Sequence, residues 1–479
     1  MGTHQDCHAI AGGVAGGVRS GCGRIFFEKG MVITMALKIG MVSLGCAKNQ
    51  VDAEIMMAKL KDAGYELVAE AGLSDIAIVN TCGFIQDAKT EAIEEILELA
   101  TLKKEGRIQK ILVTGCLAQR YQEEVAKELP EVDAVIGLGG NGDIVSAVER
   151  VLKGEKIAEF PDKLLLPLSG ERVQTTPFFT SYLKIAEGCS NCCSYCAIPK
   201  IRGKFRSRPM EDVLAEAERL AHNGVKELNV IAQDTTRYGE DLCGKSMLPE
   251  LLTELCKIDG LEWIRVLYCY PERVSDELLD VMAKEEKIVK YLDLPMQHCN
   301  DEILKKMNRR GGGRQWLTEL VQKIRARVPG IILRTTFIVG FPGESWEQFN
   351  ELAAFVKEMQ FERMGCFAYS PEEDTPAAAM EGQIPDKIKQ HRQEILMETQ
   401  DLVVQKQCEA MVGKRLTVMV EGFDRYAGSF FGRSANDAPE TDGKVFFTAS
   451  TNRMNAGSMV EVEITDFMEC DLLGEMVEE

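Results

Sequence analysis

The chain has 479 residues, of which 45% are hydrophobic and 27% are charged, a composition that is ordinary for a globular protein of two to four domains. Its net charge of −19 disfavours proteins that hold nucleic acid by non-specific attraction, although it leaves room for a local basic patch. No apolar run is long enough to span a bilayer. The sixteen cysteines, without a continuous apolar secretion signal, indicate a reducing cytoplasm, where thiols serve metal binding or catalysis more often than cross-linking.

The chain begins with a Gly-rich stretch, which predicts a disordered extension over residues 1–36. Residues 37–155 then alternate strands and helices with short joins, a pattern that predicts a doubly wound parallel sheet. The predicted strands are Lys38–Leu44, Asp75–Asn80, Lys110–Thr114 and Val132–Ile136. The predicted helices are Val51–Ala63, Lys89–Leu102, Gln122–Leu129 and Asp143–Leu152.

Three cysteines of this first domain, called here the N-terminal cysteines, each follow a predicted strand and are adjacent to a glycine in the sequence. They are Cys46, Cys82 and Cys116. Ligands of open α/β sheets bind at the carboxyl edge of the strands, so the three thiols can converge there although they are far apart in sequence. A small buried cysteine is the ordinary alternative for any one of them. The shared position of all three favours one common metal cluster.

A second, larger series of strands and helices follows a Pro-containing stretch. Residues 156–178 have no clear period and predict an inter-domain linker, and residues 179–405 predict a partial (β/α)6 barrel with its site at the carboxyl ends of the strands. The predicted strands are Tyr182–Ala186, Glu227–Ala232, Trp263–Tyr268, Tyr291–Leu294, Ile332–Val339 and Arg363–Ala368. The predicted helices include Met210–His222, Leu248–Lys257, Ser275–Lys284, Arg314–Arg327 and Ser345–Met359.

The densest chemistry of the chain follows the first barrel strand, where Cys189, Cys193 and Cys196 have the spacing C-x3-C-x2-C. Three thiolates on one loop, called here the barrel cysteines, can hold three irons of a four-iron cluster and leave the fourth open, whereas a structural metal site closes all its positions. Zinc and a disulfide are the alternatives, but the adjacent pairs and only five histidines disfavour zinc. The offset of Cys192 breaks the spacing, so we predict that it is not a ligand.

Polar residues and glycines follow other barrel strands. Gln233 comes directly after a predicted strand, and Gln297 comes three residues after the end of another. Gly340 and Gly343 would let the backbone approach a ligand closely. Each is weak alone, because a Gly-Pro-Gly turn is more often only a turn. Their shared location at one face of the barrel makes them candidates.

The last segment, residues 410–479, predicts a small all-β barrel. Its predicted strands are Arg415–Val420, Ala427–Arg433, Lys444–Thr448 and Met459–Thr465. From residue 412 onward it has six Lys or Arg against thirteen Asp or Glu, a net charge of −7. That charge is unfavourable for a phosphate backbone and favourable for a basic protein.

Together these features resemble the methylthiotransferase family of the radical S-adenosylmethionine (SAM) superfamily, and within it the RimO-type ribosomal protein methylthiotransferases. The resemblance covers residues 38–479 and includes an N-terminal methylthiotransferase domain, a radical-SAM barrel and a C-terminal TRAM domain. It rests on the segments Ser43–Asn49, Asn80–Ile85, Val113–Cys116, Tyr182–Cys189, Thr336–Glu344, Gly365–Pro371, Asn436–Gly443 and Asp471–Gly474.

The resemblance implies a transferase that adds a methylthio group to the β-carbon of an aspartate in small-subunit ribosomal protein twelve. It also implies two [4Fe-4S] clusters and S-adenosyl-L-methionine as cofactors. The cluster on the barrel cysteines would bind SAM and, on reduction, release a 5′-deoxyadenosyl radical, which can remove hydrogen from an unactivated C–H bond. The cluster on the N-terminal cysteines would carry the sulfur and its methyl group.

The resemblance further implies cofactor contacts and partners. Tyr195 is similar to the adenine-contacting aromatic residue of the family. The weaker candidates for cofactor binding are Gln233, Gln297, Arg334, Gly340 and Gly343. The expected partners are the ribosomal protein, free or in the subunit, and an electron donor such as a flavodoxin or ferredoxin, with no membrane and no tRNA.

Two other interpretations stay open at this point. A tRNA methylthiotransferase would perform the same chemistry on an adenosine, but the acidic C-terminal module and the residues around Cys46 and Cys82 disfavour it. A non-catalytic iron–sulfur or zinc protein that binds the ribosome would hold metal without cleaving SAM.

Overall fold

The computed structural model describes residues 24–28, 31–450 and 453–478. Most of the predicted disordered extension lies outside the described residues. Its described part differs from the prediction, because β1 (Arg24–Glu28) pairs with β2 (Met31–Met35) in an antiparallel ribbon.

The N-terminal domain is a six-stranded parallel sheet, as predicted, in the order β4-β3-β5-β6-β7-β8. Its strands are β3 (Lys38–Ser43), β4 (Glu66–Val68), β5 (Ile76–Thr81), β6 (Lys110–Gly115), β7 (Ala134–Ile136) and β8 (Ile157–Glu159). Its helices are α1 (Ala47–Asp62), α2 (Gln86–Lys104), α3 (Cys116–Tyr121), α4 (Glu123–Glu128) and α5 (Ile144–Leu152). Alternate residues of β5 belong to separate cores, Ile76 and Ile78 to one and Ala77 and Val79 to the other, because successive side chains of a strand face opposite sides.

The strand order of this sheet determines where the N-terminal cysteines lie. The strands β3, β5 and β6 are neighbours, and each is followed at its carboxyl end by one of the three cysteines. The chain order reverses between β3 and β5, so the sheet has its topological switch point there. Two edge strands, β4 and β8, were not predicted from the sequence.

The central domain is an open six-stranded parallel sheet in the order β16-β15-β14-β13-β12-β9, which confirms the partial barrel. Its strands are β9 (Thr180–Lys184), β10 (Ala186–Glu187), β11 (Arg206–Ser207), β12 (Glu227–Ile231), β13 (Trp263–Val266), β14 (Ile288–Asp293), β15 (Ile332–Val339) and β16 (Arg363–Ala368). Its helices are α6 (Ile198–Arg202), α7 (Met210–His222), α8 (Glu240–Cys243), α9 (Leu248–Cys256), α10 (Asp276–Lys284), α11 (Asp301–Lys306), α12 (Arg314–Arg327), α13 (Trp346–Met359) and α14 (Asp386–Met411).

The cysteine-rich loop of this domain has a closed base. The short strands β10 and β11 pair antiparallel, Ala186 with Ser207 and Glu187 with Arg206. All residues between Glu187 and Arg206, including the barrel cysteines and helix α6, therefore project from one two-stranded ribbon.

The C-terminal module is a closed barrel in the order β17-β18-β19-β21-β20. Its strands are β17 (Arg415–Asp424), β18 (Ser429–Ser434), β19 (Val445–Thr448), β20 (Met459–Met468) and β21 (Asp471–Met476). The sequence predicted the first four strands and missed β21, which pairs with β20 and β19 and completes the barrel.

The three domains share one apolar cluster. Val51 and Ile55 of α1 pack with barrel residues such as Trp263 and with Met419 and Ala438 of the C-terminal module. The segment predicted as a linker is also packed, because it contains β8 and because Arg172 forms buried ion pairs with α1 and α7. The relative positions of the domains are therefore held by burial as well as by the chain connections.

Candidate active site at the domain junction

Glycines bring the three loops of the N-terminal cysteines into contact. Gly45 has a φ of 90°, and a Cβ there would lie 2.9 Å from the Cys82 sulfur. At Gly83, a Cβ would lie 2.6 Å from the Cα of Leu117, the residue after Cys116. The missing side chains thus allow backbone to pack against backbone, and the sequence prediction that these three strand ends converge is confirmed.

Asn49 holds two of these loops together. Its side-chain amide donates hydrogen bonds to the carbonyls of Leu44 at 2.8 Å and Asn80 at 3.1 Å. Its backbone N–H donates to the Cys46 carbonyl at 2.8 Å. The Asn49 side chain therefore connects the end of β3 to the end of β5. The residues it binds lie two positions before Cys46 and Cys82.

A buried cation acts on all three N-terminal thiols. Burial raises the pKa of the Cys46 thiol, but the charges of Lys48 and Arg202 outweigh burial and hold that pKa below its ordinary value. Burial prevails at Cys116 and raises its pKa to about 12, although a hydrogen bond with Arg202 opposes the rise. Arg202 also lowers the pKa of Cys82, which burial raises. Arg202 therefore opposes the effect of burial on all three thiols.

The barrel cysteines lie on the loop above β9. Cys189 and Cys193 are buried, Cys196 is half-buried and Cys192 is exposed. The Cys189 N–H donates to the Gly203 carbonyl at 3.0 Å, and the Cys196 N–H donates to the Cys193 carbonyl at 3.1 Å. Burial raises the pKa of Cys189 to about 11, and the charge of Cys193 adds to burial in raising the pKa of Cys196. The three thiols of the C-x3-C-x2-C motif are thus close enough to interact.

The donor chemistry of both groups suits iron–sulfur clusters. All fourteen cysteines of the described residues are free thiols, so the disulfide alternative is wrong for this part of the chain. Across these residues, no group of three or more His, Cys, Asp or Glu side chains is arranged to hold a single metal ion. In a four-iron cluster each cysteine binds a different iron, so its thiol ligands stand further apart than the ligands of one ion.

Two of the predicted cofactor contacts lie beside the barrel cysteines. Tyr195 packs against Phe341 and Tyr369, and burial, together with the charge of Cys193, raises its pKa well above the ordinary value. Gln233 donates a hydrogen bond to Glu187 at 3.2 Å. The Gln233 side-chain oxygen is buried and has no hydrogen-bond partner among the described residues, so it can accept a hydrogen bond from a ligand.

The other predicted contacts are more widely spread. The Gln297 backbone, with a φ of 71°, exchanges hydrogen bonds with Thr336 and Ile338 of β15 at 2.8 Å each. Arg334 donates to the Thr441 hydroxyl at 2.7 Å and lies 4.0 Å from Asp293. These contacts place the Arg334 side chain at the junction with the C-terminal module.

Gly340 and Gly343 are approached by lysine side chains. A Cβ at Gly340 would lie 2.3 Å from the side chain of Lys389, and one at Gly343 would lie 3.0 Å from the Lys306 nitrogen. Both glycines also have positive φ, 72° and 74°. In the described chain the space above them is therefore used by protein atoms, which accounts for both glycines without a ligand.

Sequence reasoning missed a buried ion network between the two groups of cysteines. Lys184 is fully buried between Asp52 and Glu187, and Arg202 contacts the same two carboxylates at 3.0 and 2.9 Å. Arg202 is the first member of a basic run that follows the barrel cysteines, Arg202, Lys204, Arg206 and Arg208, and the sequence pattern predicted no separate role for it. The one pattern that could have indicated buried partners is the pair of opposite charges that flanks two apolar residues in Lys184-Ile185-Ala186-Glu187.

Each domain of the chain matches a known protein family. Residues 38–137 match the uncharacterized protein family UPF0004, residues 183–356 match the radical SAM superfamily, and residues 412–477 match the TRAM domain. The radical SAM match implies a [4Fe-4S] cluster and SAM as cofactors.

Curated relatives match the whole arrangement of domains. A ribosomal protein uS12 methylthiotransferase RimO of Thermoanaerobacter sp. is 50% identical over 438 residues, which are 91% of this chain and 99% of the relative. The protein of the same name from Geobacter sulfurreducens is 48% identical over 443 residues, 92% of this chain and 98% of the relative. The chain belongs to this family. The resemblance inferred from the cysteine motifs is thereby confirmed.

A solved structure supports the fold. The radical SAM methyltransferase TsrM of Kitasatospora setae, bound to cobalamin and a [4Fe-4S] cluster, superposes with a TM-score of 0.55 at 15% identity. The match covers 72% of this chain and 77% of TsrM. As for membranes, no helix in the described part of the chain is both long and apolar enough to cross a bilayer.

Proposed function

We propose that the chain adds a methylthio group to the β-carbon of an aspartate in small-subunit ribosomal protein twelve, named uS12 in its curated relatives, by radical SAM chemistry. It uses two [4Fe-4S] clusters, one on the barrel cysteines and one on the N-terminal cysteines. The single observation that carries this proposal is the convergence of two separate groups of three thiols at one domain junction. A SAM enzyme that needed only a radical would need only the barrel group.

Each group has a separate role in the proposed reaction. The cluster and SAM, when bound at the barrel cysteines, supply a radical that can remove hydrogen from an unactivated carbon, which acid–base side chains cannot do. The N-terminal thiols hold the sulfur-carrying group. Lys48 and Arg202 lower the pKa of Cys46, and Arg202 opposes the rise that burial causes at Cys116. The thiols of both groups are buried or half-buried, which limits the access of water to the reacting atoms.

The residues assigned to contact SAM are those whose side chains lie beside the barrel cysteines. Tyr195 presents an aromatic side chain next to Cys193, where it contacts the adenine of SAM, and Gln233 accepts a hydrogen bond through its unpaired oxygen. Gln297 contributes from the carboxyl end of β14, two strands away from β12 in the same sheet. Arg334 acts at the edge of this site, toward the C-terminal module. Gly340 and Gly343 act through the backbone turn that they permit rather than by direct contact with the cofactor.

The C-terminal module suits a basic protein partner. Its charge of −7 repels a phosphate backbone and attracts a protein rich in Lys and Arg. This electrostatic preference supports a ribosomal protein as the substrate and disfavours tRNA. A small reduced protein of the flavodoxin or ferredoxin type supplies the electrons, and the enzyme works in the cytoplasm.

The cofactor content is tested by anaerobic reconstitution. We expect about eight irons and eight sulfides per chain, the content of two four-iron clusters, and 5′-deoxyadenosine on reduction in the presence of SAM. One cluster per chain would contradict the assignment of the N-terminal cysteines. Iron without 5′-deoxyadenosine would instead support a non-catalytic ribosome-binding protein.

The identity of the substrate is tested in a strain from which the gene has been deleted. The mass of ribosomal protein uS12 and the modifications of bulk tRNA are measured by mass spectrometry. We expect uS12 to lose the mass of one methylthio group while the tRNA modifications are unchanged. The wild-type chain restores that mass, and the matched variant Cys193→Ala does not. Loss of a methylthio group from tRNA alone would reject the ribosomal protein as the substrate.

A further inference from the structure

Arg202 is a buried side chain of the barrel domain that donates hydrogen bonds to Asp52 and Asn49 of the N-terminal domain. It lies at the end of α6, which follows the barrel cysteines directly. Arg202 comes six positions after Cys196, so their Cα atoms are at most about 20 Å apart even in a fully extended chain. The preceding residue, Ile201, packs with Cys116. Arg202 therefore connects the two groups of thiols by a short stretch of chain.

The hydrogen bonds of Arg202 reach the other two N-terminal loops. Its guanidinium donates to the Asn49 side-chain oxygen at 3.1 Å, and the same Asn49 amide holds the residues that precede Cys46 and Cys82. Arg202 thus supports the amide that holds these two loops together. An Arg can do this because its planar fork has five donors in a rigid arrangement.

The charges around Arg202 are balanced. Asp52 and Glu187 supply two negative charges, Lys184 and Arg202 supply two positive charges, and all four side chains are at most 1% exposed. Asp52 comes from the N-terminal domain and the other three from the barrel. A buried network of this kind adds little stability compared with apolar residues of the same size, which suggests a role beyond holding the domains together.

We propose that Arg202 is a positioning residue that presents a permanent positive charge to the cluster on the N-terminal cysteines and raises its reduction potential. This inference rests on the proposed function, because it requires a cluster at those cysteines. Reduction adds negative charge to a cluster, and a nearby buried cation stabilises that charge. Hydrogen bonds from residues outside the ligand set tune metal sites in the same way.

The experiment isolates the N-terminal cluster. The chain with Cys189→Ala, Cys193→Ala and Cys196→Ala is reconstituted anaerobically, and the midpoint potential of the remaining cluster is measured by titration followed by electron paramagnetic resonance. Arg202→Gln in this background is expected to shift the potential to a more negative value. Arg202→Lys keeps the charge and is expected to retain most of the parent potential.

Lys204→Gln is the matched control. Lys204 belongs to the same basic run and is exposed, so its loss changes the net charge equally without removing a buried cation. Its potential is expected to equal that of the parent. Equal potentials in the Arg202→Gln and Lys204→Gln proteins would overturn the inference. If the triple variant binds no iron at all, the proposed second cluster fails instead.

A second pair of variants covers the case in which Arg202→Gln alone does not fold. Arg202→Gln combined with Glu187→Gln leaves Asp52 paired with Lys184, so the buried charges stay balanced. Its potential is expected to be more negative than that of Glu187→Gln alone. A potential equal to that of the single variant would show that Arg202 has only a structural role.

Discussion

Two adjacent cysteines of the barrel loop, Cys192 and Cys193, differ in side-chain burial and in backbone conformation. Cys192 is exposed and has a left-handed backbone with a φ of 54°, and its carbonyl accepts a hydrogen bond from Asn308 at 2.8 Å. Cys193 is buried, and its sulfur lies 3.7 Å from the Tyr270 hydroxyl. The spacing of the motif predicts that Cys193 is a ligand and Cys192 is not, and the difference in burial supports that prediction. The left-handed residue turns the chain so that adjacent side chains have opposite environments.

The difference gives a prediction at the scale of one residue. Cys192→Ala is expected to keep about eight irons per chain, whereas Cys193→Ala is expected to keep about four, because only the barrel cluster loses a ligand. Iron and sulfide analysis after anaerobic reconstitution measures both. Each variant is the control for the other, since both remove one thiol from the same loop. Loss of iron from the Cys192→Ala protein would mean that the ligand assignment is wrong.

At the scale of elements, the junction between β6 and α3 leaves no room for a loop. The strand ends at Gly115 and the helix begins at Cys116. Gly115 has a φ of 96°, and a Cβ there would lie 2.4 Å from the Thr81 carbonyl oxygen on the neighbouring strand. The glycine therefore permits both the turn and the close approach of two strands, and this places Cys116 at the sheet edge.

Substitution of this glycine tests the junction. Gly115→Ala is expected to cost roughly 2–5 kcal/mol of unfolding free energy, because left-handed strain and overpacking act together, and to impair iron binding at the N-terminal cysteines. Gly106→Ala is the control, since Gly106 also has a positive φ of 76° but no atom lies within 4 Å of its added Cβ. The control is expected to cost about 1 kcal/mol. Urea unfolding compares the two, and equal losses would show that backbone strain alone matters at Gly115.

At the scale of the whole molecule, buried ion pairs between side chains join the domains in addition to the shared apolar cluster. Glu227 of β12 is fully buried and pairs with Arg433 of the C-terminal module at 2.6 Å and with Arg265 of β13 at 3.1 Å. Burial alone would raise the pKa of Glu227, but the two arginines outweigh it and lower that pKa to about 2. On the other side of the barrel, Glu372 accepts hydrogen bonds from Lys89 and Arg120 of the N-terminal domain.

The lowered pKa of Glu227 predicts a dependence of stability on pH. A carboxylate of this kind stabilises the folded state above its unfolded pKa, near 4.5, and that contribution is lost as the pH falls through its folded pKa of about 2. Glu227→Gln is therefore expected to lower the thermal unfolding midpoint strongly at pH 7, with a loss of about 3–5 kcal/mol for a broken buried pair. The gap to the wild-type protein should narrow as the pH falls from 4.5 toward 2.

An exposed ion pair provides the control for this prediction. Glu463→Gln removes the partner of Arg415 at 3.3 Å, where both side chains are largely in water, and is expected to cost at most about 1 kcal/mol at any pH. A gap between Glu227→Gln and wild type that stays constant with pH would show that the buried pair does not titrate as proposed.

The sequence by itself determined the features that depend on short-range patterns. The C-x3-C-x2-C spacing, the six barrel strands and the placement of Cys46, Cys82 and Cys116 at strand ends could be read because each depends on a few adjacent residues or on strand–helix alternation. Only the tertiary structure decided what crosses between domains. The strand β21 that closes the C-terminal barrel, the packing of the predicted linker and the burial of Arg202 depend on partners that are far away in sequence. The sequence does not distinguish a charged residue in solvent from one that is paired in a core.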